Sequence, residues 1–274
     1  MMGLVIPDLM HSFFAEVAKG VASKFEPAGF QIVISDSGED AETEERQIAA
    51  LLARNVEGLI IASAQPNRRV KLFRTLRSGK VRYVLIDRLP AGVQAHYVGC
   101  QHVEIGELAT GHLIEQGRRR IAHLRGPAIP TGIGRLRGYR RTLAKHGLEA
   151  LPGHVVSAQF GDSTGYQAMR ELLRLKPLPD GVFCYNDPVA AGAIRAVLEA
   201  GLNVPDDSAI IGSGNVHYSD LLRVPLSTID QNSSLIGQTA AELLLKCIEA
   251  KTPLAPQRIF IPPRLVVRES SLRR

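Results

Sequence analysis

Long apolar runs are missing from this 274-residue chain. Hydrophobic stretches stop after about five to eight residues at a turn signal, far short of the ~20 a membrane helix requires. Cysteine is scarce, with only three, Cys100, Cys184 and Cys247, each inside an apolar segment. An odd number in such settings points to buried, reduced thiols of a cytoplasmic protein rather than a disulfide framework. A positively charged leader is missing too: Met1-Met2-Gly3-Leu4-Val5-Ile6-Pro7-Asp8 places an acid where a signal peptide is apolar, so an unexported, soluble chain is expected. The eight histidines lack H-E-x-x-H or cysteine–histidine spacing, and no Walker A sequence occurs, so neither a metal nor another cofactor is expected.

What is there is ordinary globular composition, 45% apolar and 22% charged. The net charge of +6 is spread along the chain, and its densest run, Arg118-Arg119-Arg120, reads as a solvated surface cluster at a helix-to-strand turn. Basicity therefore does not by itself imply a nucleic-acid surface.

Strand-like and helix-like segments alternate from end to end. Gly3 to Pro7 reads as a strand, and Phe13, Phe14, Val17, Val21 and Phe25 mark a following helix closed by Gly29. Further strands are expected at 30–35, 58–62, 83–86 and 97–100, with helices between them. The cycle then restarts: a helix to Gln116, strands at 121–124, 155–160, 182–185, 209–212 and 227–230, and helices at 136–145, 166–175 and 235–250. Asn186-Asp187-Pro188 reads as a helix start with Asp187 as its cap and Pro188 at the first turn. Such alternation implies α/β architecture with parallel sheets covered on both faces. There are too many strands for one compact sheet, so two doubly wound, Rossmann-like lobes are expected, without a low-complexity linker. Their boundaries are set at 1–100 plus 232–261 and at 101–229 plus 264–274.

Ligands of doubly wound sheets bind outside the carboxyl ends of the strands. The residues at those exits are Asp8, Ser63, Asp87 with Arg88, Gln101, Arg135, Asn186 with Asp187, Gly214 with Asn215, and Gln231. Together they suggest a hydrogen-bonding cleft. Asp, Asn and Ser also gather at strand exits as caps and turns, and Asp187 fits a cap better than a ligand. Arg135 is different, since a cap needs no guanidinium.

Two catalytic look-alikes occur. Gly161-Asp162-Ser163-Thr164-Gly165 matches a nucleophile elbow, with His217 as the base of a Ser163 hydrolase, but it is equally an ordinary helix start and lacks an upstream oxyanion segment. Gly132-Ile133-Gly134-Arg135-Leu136-Arg137-Gly138 suggests a dinucleotide fingerprint, with its third glycine one residue late and no acid on the next strand. No catalytic residue is assigned.

An ordered set of motifs resembles the effector domain of the lactose/galactose repressor (LacI/GalR) family. It comprises Val5-Ile6-Pro7-Asp8 with Phe13-Phe14, Val56-Glu57-Gly58-Leu59-Ile60-Ile61, Val84-Leu85-Ile86-Asp87-Arg88, and His112 to Ala122. Arg135 with Gly138-Tyr139, Asn186-Asp187, Leu226 to Gln231 and Leu265 to Ser271 complete it. The resemblance implies a type I periplasmic-binding-protein-like fold that dimerises, binds a sugar or related metabolite, and acts on operator DNA through an N-terminal head. This chain starts at the first core strand, so the head either has been removed, which is the favoured expectation, or is lacking. A periplasmic solute-binding protein shares the fold; the missing leader and Leu265-Val266-Val267-Arg268 favour the regulator.

The resemblance further implies Arg135 as bidentate donor, Asn186 as amide contact, Asp87 as acidic wall, Gln231 as crossover residue, and Phe13 or Phe14 as a stacking platform. Gly214 and Gln101 depart from the pattern where carboxylates are usual. Fewer acceptors make the expected cleft less typical of a neutral sugar, and tolerant of an anionic or amide-bearing ligand. The implied mechanism is a shift between open and closed lobes, bridged by Asp87 from one and Arg135 or Asn186 from the other.

Overall fold

The computed structural model describes residues 1–66 and 70–272. The last two residues of the expected carboxyl-terminal segment, 273 and 274, lie outside them. The chain divides into two compact units, Met1–Cys100 with Asn232–Ile261 and Gln101–Gln231 with Pro262–Arg274.

In the first unit the strands are β1 (Met2–Ile6), β2 (Ile32–Asp36), β3 (Gly58–Ile61), β4 (Tyr83–Ile86), β5 (His96–Gly99) and β11 (Arg258–Phe260). They lie in the order β11-β5-β4-β3-β1-β2, all parallel. Helices α1 (Ser12–Phe25), α2 (Ala41–Ala53), α3 (Lys71–Ser78) and α8 (Ser233–Glu249) complete the unit. The second unit repeats the plan with β6 (Ile121–Arg125), β7 (Val155–Ser157), β8 (Gly181–Cys184), β9 (Ala209–Gly214), β10 (Ser227–Asp230) and β12 (Arg264–Val266), ordered β12-β10-β9-β8-β6-β7. Its helices are α4 (His102–Glu115), α5 (Pro130–Lys145), α6 (Asp162–Leu172) and α7 (Asp187–Glu199).

The central strands are buried along their whole length, and that is why they read as short continuous apolar runs instead of alternating ones. The expectation of wholly parallel sheets needs one correction. β12 runs antiparallel to β10, because the tail returns to the edge of the second sheet without a crossover helix. It is tied down beyond the strand, where Ser270 Oγ donates to Ile210 O and accepts from Ser227 N. The end of the chain thus supplies two short strands, one to each sheet.

Three helix pairs meet through reciprocal glycines. A Cβ built on Gly106 of α4 would lie 2.2 Å from the carbonyl oxygen of Arg135, and one on Gly138 of α5 would lie 2.1 Å from that of Val103. Gly165 and Gly192 play the same parts for α6 and α7, at 2.3 Å from Val189 O and 1.9 Å from Asp162 O. Gly20 and Gly237 do so for α1 and α8, at 2.1 Å from Ser234 O and 2.2 Å from Val17 O. Backbone packs on backbone at each crossing, which only glycine allows.

This corrects two sequence expectations. Helix α5 starts at Pro130, not near Leu136, so Arg135 sits within a helix and the glycines of 132–138 are packing residues rather than a phosphate loop. The elbow around Ser163 is likewise the exposed first turn of α6, and Gly165 is its contact with α7.

Candidate functional site

In a 2-1-3-4-5 sheet the strand order reverses between the first and third strands, and the loops leaving those strands open a crevice. In the second unit these loops follow β6 and β8. The β8 exit carries Tyr185 and Asn186, and Gly126 after β6 makes room for Tyr185, since a Cβ there would fall 2.4 Å from its ring. Asn186, not Asp187, caps α7: its Oδ1 accepts from Val189 N at 2.9 Å. Its Nδ2 donates to Phe160 O at 2.8 Å.

Asp187 therefore stands one residue inside the helix, fully buried. Its carboxylate accepts from Val216 N, Ser219 Oγ and Thr228 Oγ1, at 3.0, 2.8 and 2.6 Å. Burial raises its pKa, and these three donors oppose that rise. The residue fastens the segment after β9 to β10, a structural role that neither a cap nor a ligand describes. A Cβ on Gly212 would lie 2.3 Å from Asp187 Oδ1, and one on Gly214 would lie 3.4 Å from Oδ2. Side-chain-free positions at the end of β9 are what admit the buried carboxylate.

Arg135 is 3% exposed. Its Nη1 donates to Tyr185 O at 2.5 Å and its Nη2 to Gln231 Oε1 at 3.1 Å, while its Cζ lies 4.7 Å from the centroid of the Tyr185 ring. Helix α5 carries Arg135, β8 leads to Tyr185 and β10 leads to Gln231, so three elements converge there. Thr131, one turn earlier on α5, shares a 2.6 Å hydrogen bond with Tyr185 OH. Below them His123 is buried and stacked on Phe183, centroids 4.5 Å apart. Burial, with the neighbouring arginines Arg135, Arg125 and Arg140, pushes its pKa down to about 3, against a donor bond to Phe183 O that favours the charged form. The ring is neutral at physiological pH. Asn215, by contrast, is not gathered with Arg135. It adopts φ 49°, and its Oδ1 accepts from Arg268 Nη2 at 2.9 Å. Gln101 is exposed at the start of α4, without a capping side-chain bond.

In the first unit the reversal lies between β1 and β3. Asp8, after β1, is half-buried and accepts from Met10 N at 2.8 Å. Phe13 and Phe14 are each 4% exposed and meet edge to face at 5.1 Å, so both belong mainly to the packing of α1. Ser63, after β3, donates to Glu44 Oε1 at 3.0 Å, and Ala64 N donates to Glu44 Oε2 at 2.5 Å. Burial raises the Glu44 pKa and these donors lower it. Arg88 is held by Glu39 through two 2.6 Å bonds, and its Nε lies 3.6 Å from Asp87 Oδ2. Asp87 itself takes the left-handed conformation, φ 57°, and its carbonyl accepts from Tyr97 OH.

Sequence reasoning missed Glu39, Glu44, Thr131 and Tyr185. Tyr185 carries a usable signal, an aromatic directly before Asn186-Asp187 at a strand exit. Glu39 and Glu44 carry none, since their partners are distant in sequence.

The periplasmic binding protein-like domain model matches residues 110–271. The ribose operon repressor of Halalkalibacterium halodurans is 32% identical over 272 residues, 99% of this chain and 79% of that protein. The chain belongs to the LacI family of transcription regulators. Among solved LacI-type structures, a CelR–cellobiose complex superimposes with a TM-score of 0.88 at 32% identity, covering 98% of this chain and 84% of that one. A LacI family regulator from Enterococcus faecium with bound ribose gives 0.87 at 27% identity, covering 99% and 98%. The matched region is the effector-binding part of a LacI-type regulator. Among the described residues no helix is long and apolar enough to cross a membrane.

Proposed function

We propose that this LacI-family chain binds a small polar metabolite, a sugar or sugar derivative, at the carboxyl end of its second sheet. Binding there controls operator binding by the regulator that carries a DNA-reading head. The observation that carries this is the convergence of Arg135, Thr131, Tyr185, Asn186 and Gln231 at the point where the second sheet reverses its strand order. Relatives support the class of ligand, one being a ribose operon repressor and two others being solved with cellobiose and with ribose. In the first unit the strand-exit residues Asp8, Ser63, Asp87 and Arg88 are the corresponding candidates, and Phe13, Phe14, Gln101 and Asn215 are lesser ones. The domain acts as a cytoplasmic homodimer and as a binder, not an enzyme.

A thermal-shift screen with D-ribose, cellobiose, D-ribonate and D-ribose 5-phosphate tests the reading, because a ligand that binds only the folded state raises the melting temperature. At least one compound should raise it by several degrees, and Arg135→Ala should remove that response. An equal shift in the variant overturns the assignment of Arg135.

A further inference from the structure

No acid occurs between Glu57 and Asp87, and helix α3 with the turn after it carries Lys71, Arg74, Arg77, Lys80 and Arg82. All five are exposed, while Leu72, Phe73 and Leu76 bury the other side of the helix. Surface cations elsewhere are answered by acids: Lys24 by Glu242 at 2.6 Å, Arg141 by Glu107 at 3.3 Å and Arg195 by Glu199 at 3.7 Å. Among the described residues none of the five on α3 and its turn has an ion-pair partner. Helix stability does not account for the stripe. Arg77 suits the last turn, but Lys71 stands in the first, where the helix dipole disfavours a cation and neither an acid nor a capping side chain offsets it. Lys71, Arg74 and Arg77 follow one another at three-residue spacing, about 5–6 Å apart at Cβ, so they repel.

We propose that this face of α3 binds the phosphate backbone of duplex DNA, so that the core of the regulator touches DNA itself, whatever fills its effector site. A row of cations without acids is what a polyanion recruits, because each phosphate neutralised releases a condensed counterion. The face has no means of reading bases. Its two hydroxyls, Thr75 Oγ1 and Ser78 Oγ, donate to Lys71 O and Thr75 O, and no amide side chain stands beside them. The contact is therefore independent of sequence. An anionic membrane fits less well, since an interfacial helix needs apolar side chains beside its cations, and those of α3 are turned into the core. A transcription regulator of the LacI family works beside duplex DNA, which favours that polyanion over an acidic protein.

Fluorescence anisotropy of the full chain with two labelled duplexes of about 20 base pairs and unrelated sequence tests this. Both should bind equally, with Kd of about 100 µM or tighter at about 50 mM salt. Three phosphate contacts should cost about 40-fold in affinity between about 50 and 200 mM salt. The variant Lys71→Gln/Arg74→Gln/Arg77→Gln should bind about 10-fold or more weakly and lose most of that salt dependence, with its melting temperature unchanged. Lys71→Arg/Arg74→Lys/Arg77→Lys, which keeps the charge, should retain binding. Arg170→Gln/Arg174→Gln/Lys176→Gln, which removes the same charge from the second unit, should stay within about twofold of the parent. Failure to bind either duplex overturns the proposal. So does an equal loss in the two glutamine variants, which would trace binding to net charge alone. A preference of about 10-fold for one duplex overturns the backbone reading. Tighter binding, per anionic charge, to poly-L-glutamate or to phosphatidylserine vesicles than to DNA gives the face to an acidic protein or a membrane and overturns it as well.

Discussion

Arg88 and Arg135 sit near the strand exits of different units and are equally buried, each 3% exposed, yet their charges are handled in opposite ways. Arg88 is gripped by Glu39 through two short bonds and flanked by Asp87, so the first unit neutralises its own cation. Arg135 meets only neutral oxygens. The same residue type at comparable burial is paired with carboxylates in one place and left to neutral oxygens in the other.

The largest way to break this contrast is Glu39→Ala, which removes the two short bonds to Arg88 and leaves the Asp87 carboxylate at 3.6 Å beside it. A loss of about 4 kcal/mol in urea unfolding is expected, whereas Arg135→Gln, which removes a charge that already lacks a partner, should cost less than about 1 kcal/mol. Equal losses would erase the distinction between the two arginines.

A second test uses acid. His123 beside Arg135 has its folded pKa depressed to about 3 from an ordinary 6.5. Between those values the unfolded chain takes up a proton that the folded one refuses, so stability is full above 6.5 and falls as pH drops through the window. Stability should fall by about 2 kcal/mol from pH 6.5 to pH 5. His123→Phe should flatten that part of the profile, measured as melting temperature against pH.

The smallest expected effect sharpens the picture of how Arg135 is held. Gly106→Ala would drive a methyl into the carbonyl of Arg135 itself and push α5 away from α4. A destabilisation of about 1–2 kcal/mol is expected, together with weaker binding of whichever ligand the screen identifies. Gly111→Ala on the same helix, where a Cβ meets nothing within 4 Å, should change neither.

Much of the fold was legible in the sequence because buried parallel strands announce themselves as apolar runs between turn residues. Tyr83–Ile86 and Ser227–Asp230 match the reading residue for residue. The start of α5 was not legible, because Gly132 and Gly134 look like punctuation until the neighbouring helix that needs them is seen. The cap of α7 falls on Asn186 rather than Asp187 for a similar reason. Either can cap a helix, and only the distant Val216, Ser219 and Thr228 show where the carboxylate goes. The polar character of the site could be read from strand exits, but its charge balance could not, since Glu39 lies 49 residues from Arg88 and Gln231 lies 96 from Arg135.

The Gly20–Gly237 crossing of α1 and α8 has a consequence for how the chain is born. The apolar face of α1, with Phe13, Val17, Val21 and Phe25, has to wait for a helix more than 200 residues downstream. At ribosomal speeds of about 5–20 residues per second, that face stays uncovered for ten seconds or more. The second unit, nearly contiguous in sequence, can assemble most of its sheet before the first is complete. Synthesis thus reverses the order in which the two units are written, and α1 is among the last helices of its unit to find its place.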